Sequence, residues 1–382
     1  MTAKIMEVDK DSYADIRPYR DEEVPAVVAR LLEDPGFFAA IAAWRVPRLY
    51  RVLPSLTTFV LRQWLRRRFA GLDSVHAVQM QVKPLLDGMI ARTAELSFEG
   101  LDALDPGASS LFVSNHRDIT LDPALTNHVL HSNGHRTVAI AIGNNLLQEP
   151  WVADLMRLNK SFIVRRDLSG PRELLAASRH LAWFMRSYIG GNAGPIWIAQ
   201  REGRAKDGID KTEPAVLKML SLARDRATES VADALGAYNI VPLAISYEFN
   251  PCDAAKALEL VAGADYVKAD REDISSIARG ITGQKGRVHL SFGRPLGHAV
   301  TDVSAAAEAI DEHIRRHYRL FESALWAWQR LEKTSRFPAV EVHSGSVSRA
   351  DFDARIDALP EHLQPVVLAM YANPLRRALG DG

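Results

Sequence analysis

Leu111-Phe112-Val113-Ser114-Asn115-His116-Arg117-Asp118-Ile119-Thr120-Leu121-Asp122-Pro123 passes from an apolar run, through a polar turn, into a helix start. Residues 111–114 have the composition of a short buried strand. Asp122-Pro123 has the form of an N-cap followed by proline at the first helical position. His116 is therefore expected in a strand-to-helix turn at the carboxyl edge of a sheet, where open α/β sheets bind ligands. The same texture recurs along the chain. Apolar runs rich in Val, Ile and Phe predict strands at 96–98, 137–142, 161–164, 196–199, 240–246 and 288–292. Segments 123–130, 172–188 and 212–222 are long enough for crossover helices. This alternation predicts an α/β fold, a mostly parallel central sheet of about seven strands flanked by helices. Residues 1–95 read as a helical N-terminal region, 96–300 as the α/β domain and 301–382 as a helical C-terminal region.

Composition bounds the compartment more than the partner. Lys and Arg number 47, as do Asp and Glu, so net charge favours no partner. The single cysteine, Cys252, allows no internal disulfide and fits a cytoplasmic setting. The N-terminal MTAKIMEVDK is too polar for a secretory leader. No run of about 18 apolar residues occurs, so no transmembrane helix is expected.

Three strand ends carry chemistry. After the first, His116 can take a proton from a hydroxyl near neutral pH. A carboxylate on its other ring nitrogen would fix the tautomer, and either Asp118 or Asp122 can supply it. The second strand ends in Arg165-Arg166, and guanidinium groups bind phosphate bidentately. The third, 196–199, runs into Gln200-Arg201-Glu202-Gly203-Arg204-Ala205-Lys206, where Gly203 permits close backbone approach and Arg204, Lys206 and Lys211 can hold an anion. Pro242 interrupts the apolar run 240–246 and predicts an edge strand or a bulge. If the strands are parallel, the first three turns share one sheet edge and converge on one cleft.

In order, these residues resemble the glycerolipid acyltransferase superfamily, which includes glycerol-3-phosphate and 1-acylglycerol-3-phosphate acyltransferases. Asn115-His116…Asp122 resembles its N-H-x-x-x-x-D block, Phe162-Ile163-Val164-Arg165 its G-x-x-F-I-x-R block, Glu202-Gly203-Arg204 its E-G-T-R-S block, and Val241-Pro242-Leu243 its V-P-[IVL] block. The resemblance implies that His116 is the general base for the acceptor hydroxyl, paired with a carboxylate. It implies an acceptor site involving Arg165, Glu202, Gly203 and Arg204, with Pro242 on the acyl-donor side. Asn115, Arg117, Arg166 and Lys206 are grouped with the substrate-binding residues. The implied donor is acyl-CoA or acyl carrier protein, the acceptor glycerol-3-phosphate or a lysophospholipid, with no metal or cofactor. The sequence departs from the family in placing Leu121 where the aspartate falls, Asn159 where the second block has glycine, and Arg204-Ala205-Lys206 after Glu202-Gly203. These departures leave room for another lysolipid acceptor such as a lyso-aminolipid, a thioesterase, or a non-catalytic lipid-binding protein of the same fold.

Between Asp34 and Asp73 no acidic residue occurs, while Arg45, Arg48, Arg51, Arg62, Arg66, Arg67 and Arg68 alternate with Phe37, Phe38, Trp44, Leu49, Tyr50, Phe59, Trp64, Leu65 and Phe69. Arginine interleaved with such residues predicts helices lying at a membrane surface. The expected location is the inner face of the membrane, as a peripheral protein. No recognition motif for nucleic acid accompanies the basic residues. His128, His131 and His135, and likewise His313 and His317, are set aside as metal ligands, since no cysteine lies near them.

Overall fold

Seven runs chosen for their β-branched and aromatic content become the seven strands of the computed structural model, which describes residues 12–267, 272–297 and 300–380. The strands are β1 (Ala94–Glu99), β2 (Leu111–Ser114), β3 (Ala139–Gly143), β4 (Ser161–Val164), β5 (Ile196–Ala199), β6 (Ile240–Tyr247) and β7 (Gly286–Phe292). The expected α/β architecture is present, mostly parallel and helix-flanked, with helical N- and C-terminal regions. The chain divides into two compact units, Met1–Leu85 with Ala139–Phe184, and Leu86–Val138 with Met185–Gly382. The polar residues 1–10, expected to hold no leader, lie outside the described residues.

In the first unit, prolines that look like breaks are helix starts. Pro35, Pro47 and Pro54 each stand at the beginning of a helix, in Pro35–Arg45, Pro47–Val52 and Pro54–Phe69. Proline is tolerated there because the first-turn N–H has no intrahelical acceptor. Asp34 completes the first of these caps by accepting from the Phe37 N–H at 3.0 Å. Phe37, Phe38 and Leu65 turn inward onto Val24, Val27, Leu31 and Leu158. The opposite face stays in solvent, with Val52 at 74% and Phe59 at 59% exposed. β3 and β4 pair in parallel, Ala141 opposite Phe162.

The second unit holds five strands. β2 pairs in parallel with β5 on one side and β6 on the other, while β7 is antiparallel to β6 and parallel to β1. Because β2, β5 and β6 run the same way, Ser114, Ala199 and Tyr247 end at one edge. The turns after β2 and β5 therefore open side by side. Pro242 corrects an expectation. It lies in an interior strand that is buried along its whole length, opposite Val113 of β2. Proline survives there because the β7 ladder stops beside it. The β6–β7 register begins at Leu243–Phe292, and the Pro242 carbonyl accepts from the Gly293 N–H at 2.8 Å. A Cβ at Gly293 would lie 2.7 Å from the Pro242 ring, so a glycine lets the chain pass.

Candidate active site

The helix after β2 starts at Leu121, one residue before the predicted cap. Asp118, not Asp122, serves its first turn, accepting from the N–H groups of Thr120 and Leu121 at 2.9 Å each. That occupation separates the two candidate carboxylates. Asp122, in the first helical turn, projects back toward the helix N-terminus as helical side chains do. Its Oδ2 meets His116 Nδ1 at 2.8 Å and accepts from the Arg117 and Asp118 N–H groups at 2.6 and 3.0 Å. Its Oδ1 accepts from the Tyr247 hydroxyl at 2.8 Å. The spacing of six residues thus still closes a His–Asp pair.

Asp122 is wholly buried and has partners on both oxygens. Two backbone donors converge on Oδ2, so the His116 Nδ1 proton belongs in that same fan and leaves Nε2 with its lone pair. The His116 side chain is 14% exposed, and its ring meets Trp197 edge-on with centroids 5.7 Å apart. Burial, reinforced by the charges of Asp122 and Asp118, raises the Tyr247 pKa well above the usual phenol value and keeps it a donor. Burial also raises the Asp118 carboxyl.

Asn115 and Arg117, grouped by sequence with the substrate-binding residues, turn inward instead. The Asn115 side chain accepts from the Ile245 N–H at 2.8 Å and donates to the Ile245 carbonyl at 2.9 Å, adding a strand-like rung where β2 has ended. Arg117 donates to Asp210 at 2.5 Å and lies over Tyr318 at 5.0 Å. Burial works against its charge, but Asp210 and Tyr318 together hold it above the ordinary arginine value. Both residues are buried, and their bonds support the turn.

The turn after β5 meets the His116 turn directly, since the Ala205 N–H donates to the His116 carbonyl at 2.8 Å. Gly203 adopts a φ of +72°, a conformation that favours glycine, and is exposed there with Glu202. Arg204 is mostly buried and lies 3.7 Å from Glu259, which also pairs with Lys206. Arg165 lies in the other unit, half exposed and 3.6 Å from Glu173, and the Arg166 N–H bonds to Asn144 at 2.9 Å.

Sequence reading missed one whole side of this arrangement. The helix Asp253–Ala262 presents Lys256 and Glu259, one turn apart, to the turn after β5. Lys256 Nζ donates to the Arg117 carbonyl at 2.7 Å and the Ala205 carbonyl at 3.3 Å. Its i, i+3 spacing with Glu259 is the available signal, but a lysine in an amphipathic helix ordinarily faces water. Among the described residues no cluster of His, Cys, Asp or Glu can hold a metal ion.

Residues 95–213 match the protein family described as Acyltransferase. That segment runs from β1 through the turn after β5. Curated protein sequences give no match. Among solved structures, the chain is similar to the 1-acyl-sn-glycerophosphate acyltransferase PlsC from Thermotoga maritima, with 14% identity over 77% of this chain and 95% of that one, and a TM-score of 0.38.

Proposed function

We propose that this chain moves a fatty acyl group from acyl-CoA or acyl carrier protein onto a hydroxyl of glycerol-3-phosphate or a lysophospholipid at a membrane surface. The observation that carries the mechanism is the His116–Asp122 contact of 2.8 Å at the carboxyl edge of β2. His116 Nε2 takes the hydroxyl proton as the oxygen attacks the thioester carbon. The tetrahedral intermediate collapses, the carbon–sulfur bond breaks, and the proton passes from His116 to the leaving thiolate. Asp122 stabilises the imidazolium between those steps. This chemistry uses no acyl-enzyme, metal or cofactor.

The acceptor's anionic group is assigned to Gly203, Arg204 and Lys206, whose two positive charges Glu259 reduces to a net single one. Arg165 is assigned to the acceptor by its place at a strand end and by the resemblance, and Arg166 by its place at the strand end. Labelled acyl-CoA and acyl carrier protein, each offered with glycerol-3-phosphate and with lysophosphatidate, test the reading. Transfer to an acceptor is the expected result. Free fatty acid released without acceptor favours a thioesterase, and no reaction with any pair favours a lipid-binding protein. Arg204→Ala should raise the acceptor KM about 10-fold, the loss of one charge-assisted bond. A change confined to the donor KM would reverse the two subsites.

The same proposal places the protein peripherally on the inner face of the membrane. The support is the face of Pro47–Val52 and Pro54–Phe69, where Leu49, Val52, Leu56, Phe59, Val60 and Trp64 are exposed. Arg62 and Arg66 pair with Glu33, while Arg45, Arg48, Arg51 and Arg67 make no ion pair among the described residues. No described helix is long and apolar enough to cross a membrane. At about 1 kcal/mol per basic residue near an anionic leaflet, replacing those four arginines by glutamine should weaken binding to anionic vesicles by roughly 10²–10³-fold at low salt. Sedimentation with phosphatidylglycerol vesicles measures it, and binding that ignores both substitution and salt refutes an electrostatic contact.

A further inference from the structure

Lysine is rarely fully buried without partners, and Lys256 has no exposed surface. It belongs to the helix Asp253–Ala262, beyond the last of the sequence blocks that point to acyl transfer. Its Nζ reaches two carbonyls, Arg117 at 2.7 Å and Ala205 at 3.3 Å. These carbonyls lie on different turns, one directly after His116 and the other directly after Arg204. The turns are also joined by the Ala205 N–H and the His116 carbonyl at 2.8 Å. The amine thus closes a small ring of contacts around the junction of the two turns. On the opposite side of the same residue, the Arg117 N–H bonds to Asp122 at 2.6 Å. The Arg117 backbone is therefore held from both sides, by the carboxylate that orients His116 and by Lys256.

The electrostatic setting is equally specific. Burial, followed by the facing charges of Arg204 and Arg117, brings the Lys256 pKa down to about 7, while Asp118 and Asp122 oppose that shift. A neutral amine keeps two N–H donors, so both carbonyls can remain bonded in either protonation state. What titrates is the charge, not the bridge.

We propose that Lys256 is a positioning residue for acyl transfer, pinning the His116 turn against the Gly203–Lys206 turn so that base and acceptor site keep a fixed mutual geometry. This rests on the reading of His116 as the base. A pin of this kind acts on turnover rather than on acceptor binding, because Lys256 touches peptide carbonyls and not the surface open to substrate.

Lys256→Met keeps most of the side-chain volume and removes the donors. It should lower kcat about 10–100-fold, as expected for lost hydrogen bonds from a buried, charge-bearing donor, with the acceptor KM unchanged. Amide hydrogen exchange at residues 116–118 and 203–206 should accelerate, while β2 and β5 stay protected. Lys256→Ala should regain turnover saturably with added propylamine, and not with butanol of similar size. A Met variant with wild-type kcat and wild-type exchange would overturn the proposal. If the Met variant unfolds, the Ala variant decides, and failure of amine rescue overturns it. Should the wild type transfer no acyl group at all, the functional reading has failed instead, and unchanged exchange in the two turns of the Met variant then overturns the pin separately.

Discussion

His116→Ala should abolish measurable acyl transfer and leave the protein folded. General-base help of the kind proposed for His116 is worth on the order of 10²–10⁴ in rate. The imidazole of His116 is partly exposed, and its ring contacts are Asp122 and the edge of Trp197. Its removal leaves Asp122 with the Arg117, Asp118 and Tyr247 donors, so the turn keeps its shape. Transfer of labelled acyl group, read beside thermal unfolding, measures the two effects. Full activity in a folded variant would remove His116 from the mechanism.

Asp122→Asn should lower kcat roughly 10²–10³-fold with little change in acceptor KM. Two fixed backbone N–H donors point at Oδ2, so the amide must place its oxygen there and its nitrogen toward Tyr247, whose hydroxyl can accept. The His116 contact then survives, and what disappears is the negative charge that stabilises the imidazolium. Asp122→Ala does something different. It strands the Arg117 and Asp118 N–H groups in a buried site, at about 1–3 kcal/mol for each unsatisfied donor. That variant should lose stability as well as rate. If the Asp122→Asn enzyme turned over like wild type, the carboxylate would be only a scaffold for the turn.

Most strands were readable because buried strands are short, apolar and β-branched; β1, AELSFE and largely exposed, fits that pattern least. Direction was not readable. β7 runs against β6, since two helices, Asp253–Ala262 and Glu272–Thr282, return the chain to the same edge. Pro242 misled for a related reason, because whether a missing N–H matters depends on where the neighbouring ladder ends. At the site, His116 and its choice of two carboxylates were visible, but the choice itself was not. It turned on a helix start two residues earlier than predicted, at Leu121 rather than Pro123, which left Asp118 to accept from the Thr120 and Leu121 N–H groups. Arg117 and Asn115 show the other gap. Their types suit ligand binding, and only burial beside Asp210 and Ile245 reveals that they brace the fold. Lys256 and Glu259 were out of reach, because nothing local tells a lysine in an amphipathic helix that its solvent face is covered.

Each compact unit is written in two instalments. The first uses residues up to Leu85 and then Ala139–Phe184, and the second brackets that insertion with Leu86–Val138 and everything from Met185 onward. On the ribosome, β2 emerges long before its partners β5 and β6, and Ile16 waits for Ile163, to whose N–H it offers its carbonyl at 2.8 Å. Neither half-core can close early, so the nascent chain carries unpaired strand edges, the condition under which aggregation competes with folding. A polypeptide stopped after Val138 would possess the His116–Asp122 pair in its covalent order but lack Trp197 and Tyr247, the later residues that contact it.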